Sequence, residues 1–147
     1  MPKAGGRPGF FYGSFLMNEH SYIRSIHRKL PDDIYKWKIN DNYQAGVADA
    51  YYSGIGGDLW VEYKYVKALP ARGDTTVKTT LSAQQKIWLR ARHEEGRNVA
   101  VVVGSPDGHL LQTAPGEWEV EVTCDNFIRT AIEKEEIVSY IVCTTTR

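Results

Sequence analysis

Cysteine is scarce in this chain: only Cys124 and Cys143 among 147 residues. Two cysteines make neither a disulfide framework nor a zinc site, and they fit a reducing, intracellular setting. No stretch approaches the roughly 20 consecutive apolar residues that span a bilayer, so no membrane partner is expected. The opening MPKAGGRPGFFYGSF lacks a long apolar segment and a small-residue cleavage pattern, so the expected location is cytoplasmic. Internal repeats and low-complexity tracts are absent as well. Hydrophobic residues at 42% and charged residues at 24% sit near the globular average, which argues against disorder, collagen and coiled coil. A chain of this length can bury a core without metal or disulfide staples, and one domain over residues 1–147 is the natural reading.

Net charge is also lacking, with 18 Lys and Arg against 18 Asp and Glu, but the balance hides a division. Residues 1–92 hold 14 basic side chains against eight acidic ones, and residues 93–147 hold four against ten. A basic first part with an acidic remainder points to a polyanionic partner, although charge also scatters unevenly by chance.

The pattern of elements gives an α/β reading. Residues 1–17 form a Gly- and aromatic-rich arm carrying Lys3 and Arg7. Asn18 can cap a helix, NEHSYIRSIHRKL, that stops before Pro31. Glu19, Ile23, Ile26 and Leu30 share one face of it. IYKWKIN, AGVADAYYSG and DLWVEYKYV read as strands, the last two as a hairpin around GIGG. Residues 67–81 read as a long basic loop, of a length that often carries function. Ser82 caps a second helix closed by Gly96, and NVAVVVG is a buried strand. Beyond the 18–104 core, HLLQT and EWEVEVT read as accessory strands. DNFIRTAIEKEEIVSYIV reads as one helix or a broken pair.

The chemistry concentrates in GVADAYYSGIGGDLWVEYKYV. Glu62 and Lys64 lie two apart on one strand and so point to the same face, with Asp49 on the strand before. Two carboxylates at one sheet end can hold a hard divalent cation such as magnesium, which favours carboxylates, waters and phosphate oxygens. A neighbouring ammonium can orient an attacking water, which suits phosphodiester hydrolysis. The plainer reading of Glu62 and Lys64 is a solvated ion pair. Glu19, on the apolar face of its helix, is either paired with a cation or a favourable first-turn charge. Gln85 shares a helix face with Leu81 and Trp88, and Gln84 shares one with Trp88 and Ala91; either amide could hold a water or a phosphate oxygen. The four histidines show no metal-ligand spacing and read as surface or helix-face residues, with His20 nearest the candidate site.

Taken in order, Glu19, Gly46-Val47-Ala48-Asp49, Val61-Glu62-Tyr63-Lys64, Leu81-Ser82-x-x-Gln85-x-x-Trp88 and Val99-Ala100-Val101-Val102-Val103 resemble the PD-(D/E)XK nuclease superfamily. Within it, the resemblance is to small phage VRR-NUC-like and Holliday-junction-resolvase-like endonucleases. It covers roughly residues 18–104. One departure is Ala48, where a proline usually precedes the aspartate.

The resemblance implies an αβββαβ restriction-endonuclease-like core, a central mixed sheet flanked by helices. It implies that Asp49, Glu62 and the backbone carbonyl of Tyr63 bind Mg2+, or Mn2+ in its place. Lys64 would be the catalytic lysine. Glu19 would reach the metal directly or through water, and Gln85 would position the nucleophile or the scissile phosphate. Lys67, Arg72, Lys78, Arg7, Lys3 and Arg24 are candidate DNA contacts, which mainly supply salt-dependent affinity. The implied activity is a phage-type, metal-dependent DNA endonuclease working in the cytoplasm of a phage-infected host cell, as a homodimer, on branched DNA or at a specific double-stranded site in the homing or restriction manner. The rival is a non-catalytic DNA-binding module that retains the fold.

Overall fold

Asn18 opens the first helix, α1 (Glu19–His27), in a computed structural model that describes residues 17–40, 43–79 and 81–147. The Asn18 side chain accepts the Ser21 N–H and the Ser21 hydroxyl accepts the Asn18 N–H, each at 2.9 Å. This reciprocal cap satisfies two backbone donors that the first turn leaves free. The helix ends one turn earlier than the sequence predicts, and a tight turn carries Leu30 into the core.

Three antiparallel strands follow: β1 (Tyr35–Lys38), β2 (Ala50–Gly54) and β3 (Gly57–Tyr65). The hairpin between β2 and β3 closes on the pair Gly54 and Gly57, as the GIGG segment predicts. A short strand, β4 (Thr76–Val77), precedes helix α2 (Ala83–Glu94). The α2 crossover returns the chain so that β5 (Val99–Ser105) runs parallel to β3, and β6 (Gly108–Gln112) then pairs antiparallel with β5. The main sheet is therefore mixed, in the order β1-β2-β3-β5-β6. The predicted α/β class and αβββαβ order hold.

Both faces of β5 are covered, which is why its sequence is a continuous apolar run rather than an alternating one. Ala100 and Val102 pack with Tyr22, Ile26, Tyr52, Val61 and Tyr63 on one side. Val99, Val101 and Val103 pack with Leu89, Trp118 and Phe127 on the other. Gly104 matters because it lacks a side chain: a Cβ there would collide with the Tyr22 ring, so the glycine lets α1 lie close on the strand.

The structure corrects two expectations and decides a third. The 67–81 segment is not wholly loop, because Thr76 and Val77 pair with Thr123 and Val122 in a second, two-stranded sheet. EWEVEVT is not one strand. Pro115 starts a one-turn helix, α3 (Pro115–Trp118), and only β7 (Val122–Thr123) is extended. Pro at the first helical position favours that start, and Trp118 is buried by it while Val120 stays 61% exposed, which breaks the apparent alternation. The C-terminal segment is the broken pair, α4 (Cys124–Thr130) and α5 (Lys134–Thr146). Ile137 and Ile141 of α5 pack in the same cluster as α1.

A polar chain crosses the α1 side of this core. His27 Nε2 lies 2.7 Å from the Tyr52 hydroxyl, which lies 2.7 Å from that of Tyr63. Burial, then Lys36 and Lys38, lowers the His27 pKa from 6.5 to about 4. The folded state therefore binds fewer protons than the unfolded chain between these values. This contribution to stability is present above pH 6.5 and is lost as pH falls through about 4. Thermal melts over that range should show acid sensitivity that His27→Gln reduces. Equal acid slopes in the two proteins would contradict this assignment.

Candidate active site

Strand β3 places Glu62 and Lys64 on the face that meets α2. Glu62 is paired in register with Val101 and Lys64 with Val103, and both valines belong to the cluster on that side. The Glu62 side chain is 1% exposed and Lys64 13% exposed, with Lys64 Nζ 3.3 Å from Glu62 Oε2. This is a buried pair, so the reading of a solvated surface pair does not hold. Burial, and then the charge of Asp49, raises the Glu62 pKa to about 8 against the opposing pull of Lys64. Near neutral pH, the carboxyl is thus largely protonated unless another positive charge joins it.

Asp49 arrives from the neighbouring strand. The pair Ala50 and Val61 ends the β2–β3 ladder, and one more step in that register sets Asp49 across from Glu62. Asp49 Oδ2 accepts the Tyr63 N–H at 2.9 Å, replacing a ladder bond with a side-chain bond. In extended backbone, a residue's N–H and C=O leave the strand on the same edge. The Tyr63 carbonyl accordingly leaves β3 on the edge where Asp49 lies.

Helix α2 contributes Gln85 through its cap. Ser82 Oγ accepts the Gln85 N–H at 3.1 Å, and Gln85 Oε1 accepts the Ser82 N–H at 2.9 Å. The other end of the same amide, Nε2, donates to Glu62 Oε2 at 2.9 Å. Gln85 thus ties the helix start to the buried carboxyl, whereas the Gln84 side chain is exposed. The remaining carboxyl oxygen, Glu62 Oε1, is buried without a hydrogen-bond partner.

Gly46 fixes the approach of the Asp49 loop to this helix. Its φ is +85°, and a Cβ there would press on the Gln84 carbonyl. A left-handed conformation costs a residue with a Cβ about 1–2 kcal/mol. Gly46→Ala is therefore expected to destabilise the protein by at least about that much and to reduce any activity of the Asp49 site. Chemical denaturation checks the first effect, and an unchanged midpoint would refute it.

A cavity of about 460 Å³ opens beside Asp49, lined also by Glu19, His20, Lys38, Tyr65 and Lys67. Glu19 is exposed although Ile23, Ile26 and Leu30 on its face are buried, because it stands at the open end of α1. Among the described residues, no group of three His, Cys, Asp or Glu side chains gathers closely enough to hold a metal. Glu19, Asp49 and Glu62 are therefore not drawn together into one such group. Lys38 lines the cavity and was not singled out from sequence; its signal was alternation with aromatic residues on an edge strand.

The other basic residues are dispersed. Lys67 lies at the Asp49 cavity and Lys78 at a different one beside Lys86 and Trp118. Arg72 pairs with Asp74 at 2.9 Å, and Arg24 is exposed on α1. Lys3 and Arg7 lie outside the described residues.

No protein-family model matches the chain, and no curated protein matches it in sequence. Among solved structures, it is similar to Hjc from Archaeoglobus fulgidus, a Holliday junction resolvase from an archaeal hyperthermophile. The TM-score is 0.51 at 12% identity, covering 84% of this chain and 97% of the resolvase. The fold is restriction-endonuclease-like. At that identity the likeness concerns architecture alone. No helix among the described residues is long and apolar enough to cross a membrane.

Proposed function

We propose that the protein is a divalent-metal-dependent DNA endonuclease that hydrolyses phosphodiester bonds, with branched DNA as its substrate. The observation that carries this reading is the Glu62 carboxyl. It is buried and held through Oε2 by Gln85 and Lys64, Oε1 receives no hydrogen bond from a fixed donor, and Asp49 is close enough to raise its pKa. Leaving such an oxygen unpartnered is costly, and a bound cation is one physical reason to retain it. Two carboxylates and a backbone carbonyl form a hard oxygen donor set that fits Mg2+ or Mn2+. Asp49 and Glu62 would hold the ion with the Tyr63 carbonyl, and Glu19 would reach it through water. When bound, such an ion lowers the pKa of a water and neutralises charge developing on phosphorus.

The remaining chemistry belongs to side chains. Lys64, anchored on Glu62, presents an ammonium where a phosphate oxygen or attacking water would stand. Gln85 holds the Glu62 carboxyl in one orientation and is a positioning residue. Lys67 and Lys38, at the mouth of the Asp49 cavity, supply attraction for the DNA backbone. The resolvase likeness supports a branched substrate over a homing or restriction site. A homodimer, which would bring two such sites to one junction, is the proposed assembly.

The experiment is cleavage of supercoiled, linear and four-way-junction DNA with magnesium and with chelator. Magnesium-dependent cutting, fastest on the junction, is the expected result. Binding to every form with no cleavage of any would favour the non-catalytic DNA-binding module instead.

A further inference from the structure

The sheet face that carries the carboxylates continues into an aromatic row. The register sets Trp37 opposite Tyr51 and Tyr51 opposite Trp60. Trp60 precedes Glu62 by two residues and Tyr51 follows Asp49 by two, so row and carboxylates share one face. The Tyr51 and Trp60 rings are 4.6 Å apart, and Trp88 of α2 meets Trp60 edge-on at 5.2 Å. These contacts hold Trp60 in place. The row is not covered at its outer end, where Trp37 is 47% exposed and Tyr35 60% exposed.

A cavity of about 430 Å³ lies along this row, lined by Trp37, Trp60, Lys38, Ile39, Asn40 and Val47. Lys38, Ile39 and Asn40 also line the Asp49 cavity, so the two spaces share a wall. Two indoles lining one open face match the π-face of a nucleobase better than a phosphate alone. Aromatic rings accept the π-face of any base, and a duplex hides those faces everywhere but at its ends. A second copy of the chain is the less fitting occupant. Lys36 and Lys38 alternate with the aromatic residues on edge strand β1, and edge lysines oppose strand-to-strand pairing.

We propose that Trp37 and Trp60 form a stacking platform for unpaired bases of the DNA strand whose phosphate enters the Asp49, Glu62 and Lys64 site. The preferred substrate then carries unpaired nucleotides next to the scissile phosphate. This inference rests on the nuclease reading for where that phosphate lies.

The test is binding of the full chain, without divalent cation, to three labelled DNAs of equal length: a single strand, an abasic single strand and a duplex. Wild type should bind the normal strand about tenfold more tightly than the abasic strand, the effect of roughly one stacked base. Trp37→Ala should remove most of that difference, and Trp37→Phe should restore part of it. Equal wild-type affinity for normal and abasic strands would overturn the platform, whatever the variants do. Equal weakening of single-strand and duplex binding by Trp37→Ala would overturn it too. So would a change in the oligomeric state of DNA-free Trp37→Ala, which would assign the face to a second copy. A protein that discriminates the abasic strand yet cuts no DNA with magnesium keeps the platform and loses the nuclease. One that cuts without discriminating does the reverse.

Discussion

Replacing Lys64 with alanine is expected to lower the cleavage rate by about 10²–10³-fold, the usual loss when one preorganised charge partner of a developing anion is removed. The fold should survive. Breaking a buried ion pair ordinarily costs about 3–5 kcal/mol, because a charge is stranded. Here the stranded group is Glu62, whose pKa is already raised to about 8, so it can become neutral instead. Lys64→Ala removes a cause that lowers this pKa, and protonation becomes easier still. Single-turnover cleavage and thermal melting, measured together on the same preparation, check both halves. Unfolding of the variant at ambient temperature would show that the pair is structural.

Substitution of Asp49 should separate its two duties. Asp49→Asn keeps an oxygen able to accept the Tyr63 N–H, while Asp49→Ala leaves that donor without its partner. An unsatisfied buried donor costs about 1–3 kcal/mol, so alanine should lower stability by roughly that amount and asparagine by little. Cleavage should be lost in both, since each removes a carboxylate from a site with two. DNA binding without divalent cation should persist or tighten, because a negative charge beside the phosphate is gone. Asparagine that retains wild-type cleavage would remove Asp49 from the metal site.

Much of the fold was legible because the local signals agree with the tertiary ones. Asn18 and Ser82 cap where capping chemistry says they should, and the apolar run of β5 reports a strand buried on both faces. The second sheet was not legible, since two-residue strands such as Thr76–Val77 carry no periodicity. They form only because Val122 and Thr123 come alongside. EWEVEVT misled because its alternation is real in sequence, but Pro115 and the burial of Trp118 decide the backbone.

At the site, residue types and order pointed to Asp49, Glu62 and Lys64, and the register explains their convergence. Two things needed three dimensions. One is that Lys64 is enclosed rather than solvent-facing. The other is that Gln85, not Gln84, reaches Glu62, which depends on the turn of helix set by the Ser82 cap. Glu19 shows the limit of a helical-face argument, since a residue at a helix end can share the apolar face and still lie open to solvent.

The most direct measurement is single-turnover cleavage of a four-way junction by wild type and Glu62→Gln, purified in parallel and shown to be folded. Glutamine keeps the shape of the side chain and removes its capacity for negative charge. The expected result is magnesium-dependent cleavage by wild type, arrest by chelator and no detectable cleavage by Glu62→Gln. Cleavage by Glu62→Gln at the wild-type rate, or wild-type cleavage that persists in chelator, would contradict a metal-dependent site built on Asp49, Glu62 and Lys64.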